Sequence, residues 1–265
     1  MPTVGDLYDA IQSFAPFEKA KPTDNCGILV GSRELPVSRV MVVVDVTRAI
    51  VAEAAEKGVD CILAHHPLIY NPMRAIGASD PVYAAIRSGI SILAAHTNLD
   101  VAEDGVNDTY LQLIGLEKVV TVEGTDGCCA LAKVPEELAD VRALAEHIRA
   151  AVGLPAVKFV DSGRKIKTAA VCCGGGASFF EAAVLSGADV FVSGDFRHNH
   201  AADALRAQIS LVDAGHYETE APVRDRVIAR LSAALPSVQF LRAESDQPIF
   251  QYQLMPSCGA DSCGA

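Results

Sequence analysis

The stretch MVVVDVTRAIVAEAAEKGVDCILAHH, residues 41–66, holds the pattern on which the architecture turns. Met41 to Val44 is an unbroken apolar run, as in a strand buried on both faces. Residues from about Arg48 to Lys57 are rich in Ala and read as a helix, which Gly58 ends as a C-terminal cap. Asp60 to Ala64 is the next buried strand, and it runs straight into His65 and His66. Strand, helix and strand in so short a span imply parallel pairing. Ligands of such sheets gather beyond the carboxyl ends of the strands.

The second half of the chain repeats this plan. A shift of 129 residues (42 to 171) lays Val42-Val43-Val44 on Val171-Cys172-Cys173, and Gly58-Val59-Asp60 on Gly187-Ala188-Asp189, without a gap. In that register His65 and His66 fall on Gly194 and Asp195. Further on, Ile90-Ser91 and the apolar run to His96 resemble Ile209-Ser210 and the run to His216, with one residue inserted. An acid stands four residues past each histidine: Asp100 and Glu220. The chain therefore reads as an α/β protein of two related α/β lobes with largely parallel sheets. The expected division is 1–123 and 124–265, with the C-terminal helix free to pack on the first lobe. A metal site is expected at the strand ends between the lobes.

Other elements follow from local signals. Thr3 reads as an N-cap with Asp6 three residues on and Leu7, Ile11 and Phe14 at helical spacing. Helices are expected around Pro81 to Ser88 and from Val141 to Val152, and a strand from Ile90 to Ala95. Thr219 reads as the N-cap of a helix from about Glu220 to Leu235.

Composition narrows the function. Half of the 265 residues are hydrophobic and the formal charge is −11, which disfavours a dedicated nucleic-acid binder. No apolar run reaches the roughly 18 residues of a membrane span, and no signal pattern opens the chain, so a cytoplasmic location is expected. Of the eight cysteines, Cys61, Cys172 and Cys173 lie in apolar runs as small hydrophobes, and the Cys128-Cys129 pair lacks CxxC spacing. Cys258 and Cys263 sit in a tail that is read as structurally unimportant, since two thiols are half a zinc site.

The chemistry concentrates at the strand ends. At the end of a strand, before Pro67 bends the chain, the neighbouring imidazoles of His65 and His66 can diverge toward different ions. Imidazole with carboxylate suits zinc, iron, manganese or cobalt. His216 and Glu220 add a second pair after a buried run, although Glu220 alone could merely serve a helix dipole. His96 beside Asp100 reads as an acid/base group, an orienting residue or a packed histidine. Asp45 and Asp195 end strands near the expected site. Gly174 to Ser178 reads as a turn whose free N–H groups could cradle phosphate, or as a plain tight turn.

The motifs DNCGILVG (24–31), AHHPLIY (64–70), HTNLD (96–100), GVND (105–108), SGD (193–195) and DAGHYETE (213–220) span nearly the whole chain. Together they resemble the YbgI-type dinuclear metal-centre family, often labelled GTP cyclohydrolase I type 2. The resemblance implies that His65, His66, Asp100, His216 and Glu220 bind two divalent transition-metal ions, with Glu220 bridging them. It also implies a toroidal homohexamer; the donor set itself leaves zinc, iron or manganese open. The sequence departs from the family at Thr23, where Trp is frequent, and at Asn199, where a histidine is common. The expected function is a metal-dependent hydrolase acting on a small molecule, with GTP indicated by the family label and His96 as its catalytic acid. The alternatives are a metal-storage, chaperone or regulatory scaffold, and a two-metal phosphoesterase.

Overall fold

A computed structural model describes residues 1–254, so Cys258 and Cys263 lie outside the described residues. In chain order the strands of the first half are β1 (Gly27–Val30), β2 (Arg39–Val43), β3 (Cys61–Ala64) and β4 (Ser91–Ala94). The strands β5 (Glu117–Thr121), β6 (Ala130–Lys133), β7 (Lys158–Val160), β8 (Thr168–Val171), β9 (Val190–Ser193), β10 (Ser210–Asp213) and β11 (Gln239–Arg242) follow. They form a five-stranded sheet in the order β1-β4-β3-β2-β11 and a six-stranded sheet in the order β5-β6-β8-β9-β10-β7.

Both sheets are mixed. In the first only the edge strand β1 runs antiparallel to its neighbour. The second has the parallel centre β8-β9-β10, but β5, β6 and β7 all pair antiparallel. It is thus more antiparallel than the alternation of strands and helices predicts. The reason is that β5 and β6 are joined by a short loop rather than by a crossover helix.

The repeat seen in the sequence is a repeat in space. Val40 pairs with Cys61 between β2 and β3, and Ala169 pairs with Val190 between β8 and β9, each position moved by the same 129 residues. Asp60 accepts hydrogen bonds from the Ser38 and Arg39 N–H groups at 2.8 and 2.9 Å. Its counterpart Asp189 accepts them from Lys167 and Thr168 at 2.9 and 3.1 Å. In both halves one carboxylate therefore ties down the backbone entering the central strand.

The second sheet is one stretch of chain, β5 to β10, but the first is not. After β10 the helix Val223–Ala234 crosses to the first sheet, and β11 adds to it parallel to β2, with Gln239 opposite Arg39. Val223, Val227 and Leu231 of that helix are buried among Val4, Leu7, Ile11, Val42 and Leu93. Full burial of each such side chain stabilises by roughly 1.5–3 kcal/mol. A buried ion pair between Arg224 and Asp246, with Asp246 also accepting from the Val44 N–H at 2.9 Å, locks the returning segment beside the end of β2.

The helix at the start is Val4–Gln12, and its capping box closes as expected: Thr3 N–H donates to Asp6 Oδ2 at 2.8 Å. The helix Val141–Val152 runs from its Asp140 cap to Gly153 in the left-handed conformation. Thr219 is not an N-cap. The chain turns helical earlier, as His216–Glu220 behind Gly215, and resumes as Val223–Ala234 after Pro222. Thr219 lies inside the first piece and donates its hydroxyl to the His216 carbonyl at 2.8 Å. No helix of the described residues is long and apolar enough to cross a membrane.

Candidate metal centre

Three strand ends of the two sheets deliver polar side chains to one place. β3 runs out into His65 and His66, whose N–H groups still donate to the Val43 and Val44 carbonyls at 3.0 and 2.9 Å. β4 leads to the helical turn Thr97–Asp100, with His96 as its N-cap. β10 leads through Gly215, at φ +79°, to the helix His216–Glu220. The earlier helix start explains why His216 and Glu220 converge. At i and i+4 of one helix they share a face.

Glu220, almost wholly buried, sits in the middle with its carboxylate divided between two sets of groups. Its Oε1 lies 3.6 Å from His65 Nε2, which is 3.5 Å from Asp100 Oδ1. Its Oε2 lies 3.0 Å from His66 Nε2 and 3.3 Å from His216 Nε2, and those two nitrogens are 3.3 Å apart. Donor atoms placed tetrahedrally about 2.1 Å from an ion are themselves about 3.4 Å apart. The second set has that spacing throughout. In the first set Asp100 stands further out and touches the cluster through His65.

The protonation of the rings follows from what holds them. His65 Nδ1 faces the Ala95 carbonyl at 3.0 Å, which can only accept. His66 Nδ1 lies 2.9 Å from Asp45 Oδ1, and His216 Nδ1 lies 2.7 Å from Asp195 Oδ2. Each Nδ1 therefore carries a proton, and each Nε2 turns a lone pair toward a carboxylate. Lone pairs facing lone pairs repel, so a cation or extra protons must lie between them. His65 Nε2 and Glu220 Oε2 are buried with no hydrogen-bond partner, which fits a cation.

The same crowding shifts the ionisation of every member. Burial lowers the His66 pKa, but the Asp45 and Glu220 carboxylates beside its two ring nitrogens outweigh it and push it up to about 10. His216 rises to about 9 against burial, through its contacts with Glu220 and Asp195. His65 is raised against burial by Glu220 and Asp100. Burial drives Asp100 up, whereas Glu220, despite burial, is held well below the carboxylate range by His65 and the other imidazoles. A metal ion entering this centre displaces protons and takes over their role.

Glycine makes room for the carboxylate. Gly174 has φ +67°, and a Cβ there would lie 2.0 Å from Glu220 Oε1. Two N–H groups of the turn it opens are already engaged. Its Gly174 and Gly176 N–H groups donate to Thr219 Oγ1 and Ser193 Oγ at 2.8 and 2.9 Å, so they are spent within the fold.

The structure brings all the expected residues together, and it places His96 among them rather than apart. Ring nitrogens of His65, His66 and His96 lie within 4.8 Å of one another, as do donor atoms of His66, His216 and Glu220. His96 Nδ1 is held 3.0 Å from Asp24 Oδ1, and the Asp24 carboxylate also accepts from the Thr97 N–H and hydroxyl. Burial raises the Asp24 pKa, but those bonds and the His96 charge hold it far below the usual carboxylate range. Sequence reading missed Asp24 as the partner of His96, although the acid opens the DNCGILVG motif. Asp195 stands out by its backbone as well, with a non-glycine φ of +60°.

A family profile described as Duf34/NIF3 (NGG1p interacting factor 3) matches residues 2–248. The chain belongs to this family. A Streptococcus pneumoniae protein named GTP cyclohydrolase 1 type 2 homolog is 31% identical over 225 residues, 80% of this chain and 84% of that protein. The crystal structure of the Staphylococcus aureus hypothetical protein SA1388 superposes with a TM-score of 0.86 at 26% identity, covering 96% of this chain and 100% of its own. The protein ybgI, described as of unknown function, has the same fold, with a TM-score of 0.77 at 21% identity, covering 91% of this chain and 97% of its own.

Proposed function

We propose that this centre holds two divalent transition-metal ions, zinc, iron or manganese, and that the protein is a metal-dependent hydrolase of a nucleotide, GTP in the first instance. His65 and Asp100 serve one ion, His66 and His216 the other, and Glu220 bridges them. The observation that carries this reading is the division of the Glu220 carboxylate, one oxygen toward each histidine set. The name of the pneumococcal relative supports the choice of GTP. We extend the reading to a homohexamer in the cytoplasm; light scattering that finds a monomer at micromolar concentration rejects the assembly.

Ions held there would activate a water at neutral pH and polarise the carbon it attacks. The chain's own residues supply the rest. Asp45 and Asp195 fix the tautomer and aim of His66 and His216. Asp24 holds His96 by Nδ1, which leaves Nε2 to carry a proton to the nitrogen released when the five-membered ring of guanine opens. The Tyr70 ring stands 6.5 Å from that of His96, edge to face, on the exposed loop that follows His66.

The test follows formate and nucleotide products from GTP on protein reconstituted separately with each metal. Formate release is expected, abolished by His65→Ala. His96→Ala is expected to slow it by roughly 10²–10⁴-fold at unchanged metal content, the range for removal of a general acid. Loss of metal in that variant would instead make His96 a ligand. If no metal form turns over GTP while both positions are filled, the hydrolase reading fails and the protein is a metal-holding scaffold.

A further inference from the structure

We propose that Cys129 and Cys172 form a modification site, a dithiol that closes to a disulfide when the protein meets a hydroperoxide. The strand register brings the pair together. β6 and β8 run antiparallel with Ala130 opposite Val171 and Lys133 opposite Thr168, so the next step along the ladder sets Cys129 opposite Cys172. The hydrogen bonds also fix the kind of pair. Val134 N–H donates to the Lys167 carbonyl at 2.9 Å, which makes every second position from there a hydrogen-bonded pair and 129/172 a pair of the other kind.

The neighbours agree. Cys172 N–H turns away from β6 to the Val192 carbonyl at 3.0 Å, and the Cys129 carbonyl turns away from β8 to accept from Val122 N–H at 2.9 Å. In such non-hydrogen-bonded pairs the Cα atoms are about 4.5 Å apart and the side chains approach most closely. That separation lies at the short end of the range a disulfide spans, roughly 4.4–6.8 Å.

Both side chains point into one apolar cluster with Val122, Ala170, Phe191 and Leu211. Of the flanking cysteines, Cys173 faces elsewhere, and Cys128 is one step off the register. Cys128 lies in that cluster, but Cys173 packs on the other side, and its N–H has left the ladder for Asn107 Oδ1 at 3.0 Å.

The chemistry balances with one hydrogen peroxide. The thiolate of one cysteine attacks a peroxide oxygen, the O–O bond breaks, and a sulfenic acid and water result. The second sulfur then attacks the sulfenic sulfur, the S–S bond forms, and the hydroxyl leaves as a second water. Two thiols lose two electrons in all, and the peroxide gains them. The thiolate is the attacking form, so the first step quickens as pH rises. The second step is fast because its partners are held together.

The full-length protein is treated with hydrogen peroxide, denatured, alkylated without reduction and mapped by tandem mass spectrometry. We expect a peptide pair two hydrogens lighter than its parts, joined through Cys129 and Cys172. The link persists in the Cys128→Ala/Cys173→Ala double variant and is absent in Cys129→Ala. In Cys172→Ala the sulfenic acid on Cys129 accumulates and is captured by dimedone. Cys61, wholly buried with its thiol pushed up to about 12 and in no disulfide among the described residues, serves as the internal control and stays alkylatable. If Cys129 and Cys172 remain as reactive to alkylation as Cys61, or if the link runs through Cys128 or Cys173, the proposal is overturned.

Discussion

The two halves of the molecule share a framework and divide its chemistry. β2-β3-β4 and β8-β9-β10 have the same order, direction and register, and Asp60 and Asp189 perform the same backbone-tying task in each. At the ends of β2 and β3, against β8 and β9, the likeness stops. The first half places His65 and His66 where the second places Gly194 and Asp195, and Asp45 where the second places Gly174. One half thus presents donors directly from its strand end. The other leaves space there and brings its donors in from the helix His216–Glu220. A duplicated sheet fixes positions in space, while the residues that fill those positions are free to diverge.

The largest expected effect breaks the centre itself. Glu220→Ala should lose both metal ions, whereas Asp100→Ala should lose at most one, as read by elemental analysis of dialysed protein. Full metal content in both variants would reject the bridging role. Next comes the space left at Gly174. Gly174→Ala puts a methyl against Glu220 and should abolish metal retention, while Gly187→Ala, also at positive φ but with open space around it, should retain full metal. Equal metal content in the two would show that the carboxylate does not need that room.

The carboxylates behind the rings should matter less. Asp45→Ala and Asp195→Ala each remove a partner of Nδ1 and should weaken metal affinity roughly 10–100-fold, measured by competition with a chromogenic chelator. Unequal losses would show which half governs the second ion. The smallest effect concerns the shared framework. Asp60→Ala and Asp189→Ala should each cost roughly 1–3 kcal/mol in denaturant unfolding, by loss of hydrogen bonds to a carboxylate.

Burial raises the Asp60 pKa, but the bonds from Ser38 and Arg39 outweigh it and leave it below the ordinary value of 3.8. Its contribution is therefore complete above that ordinary value and is lost as pH falls through the lower folded-state value. Asp60→Ala should accordingly lose its stability deficit as pH falls below 3.8 and the native carboxylate is protonated in its turn. A deficit that persists undiminished would mean that packing, not charge, sets it.

The framework was largely legible because its signals are local. Apolar runs, the Gly58 and Gly153 caps and the Thr3–Asp6 box depend on residues a few positions apart, as does the repeat of Gly-x-Asp at 58–60 and 187–189. His65, His66, His216 and Glu220 stood out because histidine beside carboxylate at the end of a buried run is chemically conspicuous. Three things were hidden because they depend on partners distant in sequence. The pairing of Asp24 with His96 spans 72 residues. The helix start at His216 rather than at Thr219 is tied to the Gly174 N–H, 45 residues away, which takes up the Thr219 hydroxyl. The antiparallel strands of the second sheet carry no crossover helix to announce them.

The return of β11 to β2 has a consequence for how the protein is made. Arg39 finds its partner Gln239 only after the intervening chain has left the ribosome. At roughly 5–20 residues per second, about 200 residues of synthesis keep that edge of the first sheet open for roughly 10–40 s. The nascent sheet must wait with an unpaired strand, and His65 and His66 wait with it for His216 and Glu220. Assembly of the centre is therefore a late event that awaits the arrival of residues 216–220.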